Sequence, residues 1–537
     1  MGGGTVSAPL AELTTWDADW NGLRVVVTGI GLSGFSAADT LIELGARVVV
    51  VDARDTEENR AKADTLRIVG AADVLLGADA VTGLPDVEGN PPELVVTSPG
   101  FRPTHPVLAA ADAAGVPIWG DVELAWRVRI REGRKTAQWL AITGTNGKTT
   151  TVSMTESMLR AAGLRAIAAG NVGTPILDAI RDPEGYDAIA VELSSFQLHW
   201  THSISPLASV CLNVAEDHVD WHGSYEAYLA DKAKVYENTQ VACIFNAEQY
   251  ETEHMVEEAD VVEGCRAIGF TTGVPAVSMV GVVEGLLVDR AFIEQRKDSA
   301  AELAAMSDLG EYAPRHMVAN ALAAAALVRA YGVEPAAVRD GLRAYSPGDH
   351  RIQPVARLED ILWVNDSKAT NPHAASASLA AFTSVVWIAG GLSKGVGYDD
   401  LVAEHRKRLK AVVLIGVETS DLQASLARHA PDVPVIHALG AQTGGQETAV
   451  TSAEEVMVRA VEAAASAAGA GDTVLMAPAA ASMDQFTSYA HRGEAFIEAV
   501  AAYVAERQAA NPEQAPEQTQ APEQTQAPEQ TQAPKEP

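Results

Sequence analysis

The segment at residues 141–150, Ala-Ile-Thr-Gly-Thr-Asn-Gly-Lys-Thr-Thr, constrains the fold of this chain more than any other. Residues 138–143 are apolar enough for a buried strand, Gly144 and Gly147 permit a tight turn, and residues 149–162 have the spacing of a helix. Backbone N–H groups at the start of a helix, together with one lysine, favour a polyphosphate. The segment therefore predicts a strand, a phosphate-binding loop and a helix in succession, as in an α/β domain.

This loop, residues 144–149, is called the phosphate loop below and is a compact variant of the generic one. The generic P-loop has a glycine five residues before its second glycine, and Ile142 takes that position here. An ordinary strand-to-helix turn with an exposed Lys148 is the alternative interpretation. The Gly-Lys-Thr run directly after a predicted strand favours phosphate binding.

The size and charge of the chain limit its possible functions. A chain of 537 residues predicts about three domains. Its formal net charge of −32 argues against non-specific binding to nucleic acid or to an anionic membrane surface. Residues 1–20 have neither a basic start nor an apolar run, and no apolar run is long enough to span a bilayer. We therefore expect a cytoplasmic protein that binds no nucleic acid and inserts into no membrane.

Residues 24–52 predict a Rossmann-like βαβ unit. A strand is followed by the glycine turn at residues 29–34, a helix and a second strand that ends at Asp52. The three glycines of the turn allow close approach of a pyrophosphate, and Asp52 would bind a ribose or a base. Alone, this motif suggests a nicotinamide dehydrogenase, but the pyrophosphates of other nucleotides dock in the same way. A further alternative is that the glycines only form a turn and bind no ligand. A later strand at residues 94–97 ends in a second small-residue turn at Ser98-Pro-Gly100.

The composition of the chain divides it into three domains and a tail. The basic segment at residues 127–135, interpreted as a solvated linker, places the first boundary near residue 136. An α/β pattern restarts near residue 349, with a mainly parallel sheet expected. Ala-Pro-Glu-Gln-Thr-Gln occurs three times near the end and predicts a disordered tail. The predicted units are a first domain at 1–136, a middle domain at 137–346, a third domain at 347–508 and a tail at 509–537.

Polar side chains follow two predicted strands of the middle domain. Glu192 ends one of them, where a magnesium ligand would be useful near a phosphate loop. The other, at residues 208–213, runs into Glu216, Asp217, His218 and Asp220, which form either a hydrogen-bonded loop or a metal site. A predicted helix at residues 224–238 carries Lys232, and its amphipathic pattern alone puts this lysine on the surface.

Polar residues also gather at the strand ends of the third domain, which is the edge where α/β sheets bind ligands. They are Asp366, Lys368, Lys394 and the segment Ser482-Met-Asp-Gln-Phe486. A role as ordinary helix caps would account for Ser482 or Asp484. It accounts less well for Lys368 and Lys394, which follow two different strands.

Taken together and in this order, these segments resemble the Mur ligase family over residues 24 to about 507. The phosphate loop is similar to the family's ATP loop, and residues 192–198 and 213–218 are similar to its magnesium segments. Residues 365–371, Asn-Asp-Ser-Lys-Ala-Thr-Asn, are similar to the signature of its D-glutamate-adding members. The resemblance implies an α/β fold of three domains, a Rossmann-like one for a uridine nucleotide sugar, a P-loop ATPase-like one, and a Rossmann-like one for the amino acid.

The resemblance further implies ATP-dependent addition of D-glutamate to UDP-N-acetylmuramoyl-L-alanine, with two Mg²⁺ ions, in a protein that we expect to be a monomer. Catalysis would involve Lys148, Asn171, His218 and Lys232, the last as a carbamate. ATP would contact Gly144, Thr145, Asn146, Gly147, Lys148, Thr149, Thr150, Asn320, Arg351 and Asp366. The metal ligands would be Thr149, Glu192, His218 and Lys232. The uridine nucleotide would contact Gly31, Leu32, Ser33, Asp52, Arg54, Gly100 and Ser194, and D-glutamate would contact Lys368, Thr370, Lys394, Ser482 and Tyr489.

Two positions depart from the family pattern, and three alternative functions stay open. Met317 stands where an asparagine would touch adenine, and Tyr489 where a phenylalanine is usual. A ligase for another amino acid is one alternative, but the third domain lacks the Asp-Asn-Pro-Arg motif of the diaminopimelate-adding enzymes. A nucleotide-binding regulator would not need Glu192, His218 and Lys232 together. A nicotinamide oxidoreductase would leave Lys148 without a role.

Overall fold

A computed structural model describes residues 10–310, 313–346, 350–393, 395–438 and 452–510. The chain forms three β-sheets flanked by helices, which confirms the predicted α/β class with three domains. The predicted domain boundaries stay predictions. Lys394 and the repeated hexapeptides of the predicted tail lie outside the described residues.

The first domain contains a five-stranded sheet in which every strand runs parallel to its neighbours, in the order β3-β2-β1-β4-β5. Its strands are β1 (Arg24–Thr28), β2 (Arg47–Asp52), β3 (Asp73–Leu76), β4 (Leu94–Thr97) and β5 (Ile118–Gly120). Its helices are α1 (Leu32–Glu43), α2 (Glu57–Val69), α3 (Pro106–Ala113) and α4 (Asp121–Val128). The alternation of strand and helix agrees with the predicted Rossmann-like unit.

The middle domain contains a nine-stranded sheet in the order β14-β13-β12-β11-β10-β9-β6-β8-β7. Its strands are β6 (Gln138–Thr143), β7 (Ala166–Gly170), β8 (Ala188–Glu192), β9 (Ala208–Cys211), β10 (Ala242–Asn246), β11 (Arg266–Phe270), β12 (Met279–Val283), β13 (Leu286–Asp289) and β14 (Ala301–Ala305). Its helices are α5 (Lys148–Ala161), α6 (Ile176–Arg181), α7 (Ser195–His199), α8 (Val219–His222), α9 (Tyr225–Ala233), α10 (Tyr250–Glu257), α11 (Arg315–Tyr331) and α12 (Pro335–Ala344). The last two strands pair antiparallel and extend the sheet away from the phosphate loop.

The third domain contains a six-stranded sheet in the order β15-β16-β20-β17-β18-β19, parallel except for its first strand. Its strands are β15 (Gln353–Leu358), β16 (Ile361–Asn365), β17 (Val385–Ala389), β18 (Leu409–Leu414), β19 (Val435–His437) and β20 (Thr473–Met476). Its helices are α13 (Pro372–Leu379), α14 (Asp399–His405), α15 (Ser420–His429), α16 (Ala453–Ala467) and α17 (Tyr489–Ala510). The predicted mainly parallel sheet is therefore present.

The basic segment at residues 127–135 is not wholly the solvated linker that its charge predicts. Arg127 lies in α4 and donates to the buried Glu123 Oε1 at 2.7 Å. The guanidinium of Arg129 lies 3.2 Å from the ring centroid of Trp126. Arginine stems and planar guanidinium groups cover apolar surface well, so a basic run can be packed as well as solvated. The start of this segment is accordingly packed against the first domain, while residues 130–138 are exposed or half-buried.

The predicted helix at residues 224–238 is shorter in the structure, since α9 ends at Ala233 and a 3₁₀ turn, Lys234–Tyr236, follows. The alanine-rich run at residues 321–330 predicts a helix that ends at Gly332. In the structure this helix, α11, begins earlier, at Arg315, and ends at Gly332, whose positive φ of 102° caps it. Among the described residues, the helices are too short or too polar for any of them to traverse a bilayer.

The glycine at position 341 allows α5 and α12 to pack closely, so Gly341→Ala is expected to destabilise the middle domain. Alanine is ordinarily the better helix former, but a Cβ at Gly341 would lie 2.4 Å from Met158 Cα and 2.7 Å from Met158 N. Overpacking of this kind costs about 1–3 kcal/mol, and each kcal/mol lowers the melting temperature of a domain of this size by roughly 2–4 °C. Differential scanning calorimetry measures the change.

Gly83→Ala is the matched control, because a Cβ at Gly83 would meet no atom within 4 Å. The control is expected to have the same melting temperature as the wild type. Equal melting temperatures for Gly341→Ala and the wild type would contradict the close helix contact.

Candidate functional site

The pairing of three parallel strands sets the position of the site. In the register of the sheet, Ile142 of β6 lies beside Glu192 of β8, and Thr143 of β6 lies beside Cys211 of β9. The phosphate loop, Glu192 and the loop after β9 therefore start at the same edge of the sheet. This is the carboxyl edge, where open α/β sheets bind ligands.

A cleft of about 280 Å³ opens at this edge and is called the central cleft. Residues of the middle and third domains both line it, so most of the predicted ATP residues, three of the predicted metal ligands and two of the predicted amino-acid residues share one space. The predicted residues that line it are Thr145, Asn146, Gly147, Lys148, Thr149, Thr150, Asn171, Glu192, His218, Asn320, Arg351, Asp366, Lys368 and Thr370.

The phosphate loop has the backbone that a polyphosphate cradle needs. Gly147, at the start of α5, has a φ of +84°, and a Cβ there would lie 2.4 Å from Asn320 Oδ1. Only glycine combines that backbone with that neighbour. The Lys148 ammonium donates to Gly144 O at 2.8 Å and to Thr145 O at 3.0 Å. Burial lowers the pKa of Lys148, while the nearby carboxylates of Glu192 and Asp217 act in the opposite direction.

Glu192 has the features of a cation ligand. Its residue is 2% exposed, its Oε1 accepts from Asn171 Nδ2 at 3.1 Å, and its Oε2 is buried without a hydrogen-bond partner among the described residues. A buried carboxylate oxygen without a partner is costly, and a bound cation would satisfy it. The residues at this position therefore fit a magnesium ion.

The protein groups around Glu192 do not form a closed metal cage. Thr149, Asp217 and His218 line the same cleft, yet in the described part of the chain no three His, Cys, Asp or Glu side chains gather closely enough to hold an ion by themselves. Magnesium commonly takes one or two carboxylates and completes its shell with water and substrate phosphates. An open set of ligands beside a phosphate loop suits that ion.

Lys232 is buried, contrary to what the amphipathic pattern of α9 predicts. Its residue is 2% exposed, and its Nζ donates to Gly144 O at 2.9 Å. Burial, followed by the charge of Lys148, lowers the pKa of Lys232 to about 7. This lysine lies behind the phosphate loop and is absent from the residues that line the central cleft. The surface assignment fails because the loop, and not solvent, covers this face of the helix.

His218 is held in a left-handed backbone conformation, with a φ of 53°, directly before α8. Its ring packs edge-on against Phe196 at a centroid distance of 4.8 Å, and its Nε2 lies 3.6 Å from Asp217 Oδ2. Such strain in a non-glycine residue is typical of functional sites. The structure thus brings His218 to the same cleft as Glu192.

The third domain contacts the phosphate loop directly. Asn146 Nδ2 lies 2.9 Å from His373 Nδ1, and Asn371 Nδ2 donates to Asn146 Oδ1 at 3.3 Å. Burial raises the pKa of Asp366 to about 6, although Ser378 donates a hydrogen bond to it. The Lys368 ammonium lies 3.6 Å from the ring centroid of Tyr489. The wall opposite the phosphate loop thus combines a buried carboxyl group and a lysine.

Sequence reasoning missed two histidines of the central cleft, His316 and His373. Burial lowers the pKa of His316 to about 4, with a further contribution from His373. His373 follows the Asn371 cap of α13, but nothing local to it indicates a contact with a loop 227 residues earlier. Both histidines lie in the first turn of a helix, where the local sequence does not distinguish them from ordinary helix-start residues.

Several predicted contacts are absent from the lining of the two clefts, and besides Lys232 they include Gly144, Tyr489, Ser194 and Ser482. Ser194 caps α7 together with Gln197 in a capping box, and it is absent from the residues that line either cleft. Ser482 is 3% exposed and is also absent from the lining of the central cleft. Their assignments as substrate ligands stay predictions, as does that of Lys394.

A second cleft, of about 700 Å³, lies in the first domain and is called the first-domain cleft. Its lining includes Gly31, Leu32, Ser33, Asp52, Arg54 and Gly100, the remaining predicted uridine-nucleotide residues. Asp52 Oδ2 accepts from Ile30 N at 2.9 Å, and its Oδ1 accepts from Arg54 N at 2.8 Å. This carboxylate therefore fixes the glycine turn, in addition to facing the cleft.

An ion pair connects the rims of the two clefts. Arg102 lines the first-domain cleft and contacts Asp220 Oδ2 at 2.6 Å through its Nη2. Asp220 follows His218, which lines the central cleft, by two residues.

Three protein-family models match the chain in succession. The model of the Mur ligase MurD-like N-terminal domain matches residues 23–120. The Mur ligase middle domain matches residues 142–328, and the Mur ligase glutamate ligase domain matches residues 350–480. The three models follow the three sheets in order.

Curated relatives match almost the whole chain. A protein of Leifsonia xyli subsp. xyli is 53% identical over 507 residues, which is 92% of this chain and 95% of that protein. A protein of Streptomyces coelicolor is 54% identical over 483 residues, which is 90% of this chain and 98% of that protein. Both are named UDP-N-acetylmuramoylalanine--D-glutamate ligase.

One solved structure adds a comparison of the fold. The UDP-N-acetylmuramoylalanyl-D-glutamyl-2,6-diaminopimelate--D-alanyl-D-alanyl ligase of Acinetobacter baumannii is similar to this chain with a TM-score of 0.50 at 15% identity. The match covers 90% of this chain and 93% of that one. Because the identity is low, this likeness concerns the fold alone. The family models and the curated relatives together establish that the chain belongs to the Mur ligase family.

Proposed function

We propose that this protein is an ATP-dependent ligase that joins the carboxylate of UDP-N-acetylmuramoyl-L-alanine to the amine of D-glutamate. One observation carries the proposal: Glu192, whose buried Oε2 has no hydrogen-bond partner among the described residues, lines the same cleft as Lys148 of the phosphate loop and Lys368 of the third domain. The names of relatives at 53% and 54% identity support these two substrates. We further infer that the protein acts as a monomer in the cytoplasmic assembly of peptidoglycan precursors.

Amide formation requires that the acceptor carboxylate be activated, since a carboxylate is a poor electrophile with a very poor leaving group. ATP supplies the activation, because attack of the carboxylate on the γ-phosphate gives an acyl phosphate and ADP. The amine of D-glutamate then attacks the carbonyl carbon to give a tetrahedral intermediate. Collapse of that intermediate releases phosphate and leaves the amide.

The middle domain provides the charge stabilisation for phosphoryl transfer. The loop N–H groups and the Lys148 ammonium bind the β- and γ-phosphates, where negative charge is spread over the transferring oxygens. Thr149 and Glu192 would hold one magnesium ion and His218 would help hold a second, and these ions would neutralise further charge on the phosphates. Asn171 fixes the Glu192 carboxylate through its 3.1 Å hydrogen bond.

The first and third domains deliver the two substrates. The glycine turn at the base of the first-domain cleft suits a diphosphate, and the cleft's volume of about 700 Å³ suits a nucleotide sugar. On the other side, Lys368 and Thr370 line the central cleft and would bind a carboxylate of D-glutamate. Because three domains must converge on one reacting carbonyl, closure of the domains is part of the mechanism.

Lys232 would act as a carbamate that supports the metal site. Carbamate formation requires a neutral amine, and the burial that lowers the pKa of Lys232 to about 7 favours that form. The lysine has only a carbonyl, a more distant hydroxyl and an aromatic face as partners among the described residues. A carbamate in its place would add a negative charge behind the phosphate loop.

The amino-acid specificity tests the proposed function. With UDP-N-acetylmuramoyl-L-alanine present, D-glutamate is expected to stimulate phosphate release from ATP far more than L-glutamate, L-alanine or diaminopimelate. A coupled phosphate assay measures the rates, and mass spectrometry identifies the amide product. Phosphate release that is indifferent to D-glutamate would rule out the proposed substrate, and activity with diaminopimelate alone would favour another member of the family.

Lys148→Ala is expected to lower kcat by at least about 100-fold, because it removes a cation that stabilises the transferring phosphoryl group. The same phosphate assay measures kcat. Lys297→Ala removes an exposed lysine of the same domain and serves as the control with wild-type activity. Unchanged amide formation by Lys148→Ala would refute the assignment of the phosphate loop.

Lys232→Ala is expected to lose activity and to regain part of it when short carboxylic acids replace the missing carbamate. The regained rate is expected to rise with acid concentration and then to saturate. Lys148→Ala with the same acids is the control, and it is expected to stay inactive. A fully active Lys232→Ala enzyme would show that this buried lysine has no role in catalysis.

A further inference from the structure

A chain of buried and half-buried polar side chains connects three segments of the middle domain. Asp231 Oδ2 accepts hydrogen bonds from His199 Nδ1 at 2.8 Å and from His222 Nδ1 at 2.9 Å. The other nitrogen of His222, Nε2, lies 3.0 Å from Ser195 Oγ. Asp231 Oδ1 pairs with Lys234 at 3.0 Å. These five residues are called the Asp231 network.

Three members lie within four residues of a predicted metal ligand in sequence. Ser195 opens α7, which follows Glu192 at the end of β8. His222 ends α8, the helix that starts directly after His218. Asp231 immediately precedes Lys232 in α9. The network therefore joins the three segments that carry Glu192, His218 and Lys232.

The central hydrogen bonds of the network are shielded from water. The His222 side chain is fully buried and the Asp231 side chain is 9% exposed, while Ser195 is 3% exposed. Hydrogen bonds to an ionised carboxylate in such surroundings are strong and directional. They fix the relative positions of the helices that carry them.

An aromatic contact adds a second connection between the network and His218. The Phe196 ring packs edge-on against His218 at 4.8 Å and stacks on His222 at 5.6 Å. Phe196 follows Ser195 in α7. The orientation of the His218 ring thus depends on the same short helix that the network anchors.

The order serine, histidine, aspartate is also that of a hydrolytic triad, but the surroundings argue against a nucleophile. Ser195 is buried, and the central cleft is not lined by Ser195, His222 or Asp231. A nucleophile must reach its substrate. Groups that contact the ligand-bearing segments without facing the cleft act by positioning.

We propose that Asp231 and His222 are positioning residues that hold the Glu192, His218 and Lys232 segments in the arrangement that binds the divalent cation. This inference rests on the proposed function, which assigns the cation to those segments. The ligands come from a strand end, a loop and a helix, so no single element fixes their mutual distances. Partners of this kind orient metal ligands, and their loss typically weakens metal binding by about 10–100-fold.

The test measures binding of Mn²⁺ to the ADP complex by isothermal titration calorimetry. Asp231→Asn and His222→Phe are expected to weaken Mn²⁺ binding by about 10–100-fold, and Ser195→Ala is expected to weaken it less but in the same direction. Glu226→Gln is the matched control, since it removes an exposed carboxylate from the first turn of the same helix. It is expected to bind Mn²⁺ as the wild type does.

A kinetic readout separates positioning from a general loss of structure. If the network positions the ligands, the Mg²⁺ concentration that gives half-maximal activity rises in Asp231→Asn, and kcat recovers towards the wild-type value at saturating Mg²⁺. A role in stability alone would lower the melting temperature and leave the Mg²⁺ dependence unchanged.

Two outcomes would overturn the inference. One is Mn²⁺ binding within about twofold of the wild type in folded Asp231→Asn and His222→Phe. The other, decisive if those variants do not fold, is unchanged Mn²⁺ binding in Ser195→Ala. Failure of the proposed function is a separate result, since it would appear in the wild type as Mn²⁺·ADP binding without phosphate release that depends on D-glutamate.

Discussion

The parallel pairing of β8, β6 and β9 is the constraint on which the rest of the site depends. It places Ile142 beside Glu192 and Thr143 beside Cys211, so three loops far apart in sequence start at one edge of the sheet. A shift of one residue in this register would turn the following side chains towards the opposite face. The phosphate loop, the Glu192 carboxylate and the His218 loop meet only because this register is fixed by a buried sheet.

That edge concentrates charge in a place with little water. Lys148 and Lys232 both approach the carbonyl of Gly144, and Glu192 at the same edge is buried, with one carboxylate oxygen that has no partner in the described part of the chain. Burial lowers the pKa of both lysines, because a low-dielectric surrounding disfavours the ammonium form. Groups arranged in this way interact strongly with a polyphosphate and a divalent cation, since few solvent molecules compete. The free-energy cost of burying these charged groups is typical of a binding site and not of a packed core.

Local features of the sequence predict the parts of this site that are formed locally. The strand at residues 138–143, the glycine turn and the helix after Lys148 follow from apolar runs and glycines, and Glu192 follows from a strand end. The short strands β3 and β5 are not predicted, because they are also only partly buried, whereas β4, of similar length, is a wholly buried apolar run. The helix pattern alone assigns Lys232 to the surface, because it contains no information on the loop that covers it, and only the family resemblance assigns this lysine to the site. The contact of His373 with Asn146 spans 227 residues and has no local signal.

One residue of the phosphate loop, Asn146, contacts two domains. Asn146 is tied to the middle domain, where its backbone N–H donates to Asn213 Oδ1 at 2.9 Å, and its amide contacts Asn371 and His373 of the third domain. Any ligand that moves this amide changes the free energy of the contact between the two domains. Thermodynamic linkage requires the reverse as well, so a change in the domain arrangement alters the affinity of the loop by the same factor. Nucleotide binding at the loop and the arrangement of the two domains are therefore thermodynamically coupled through this side chain.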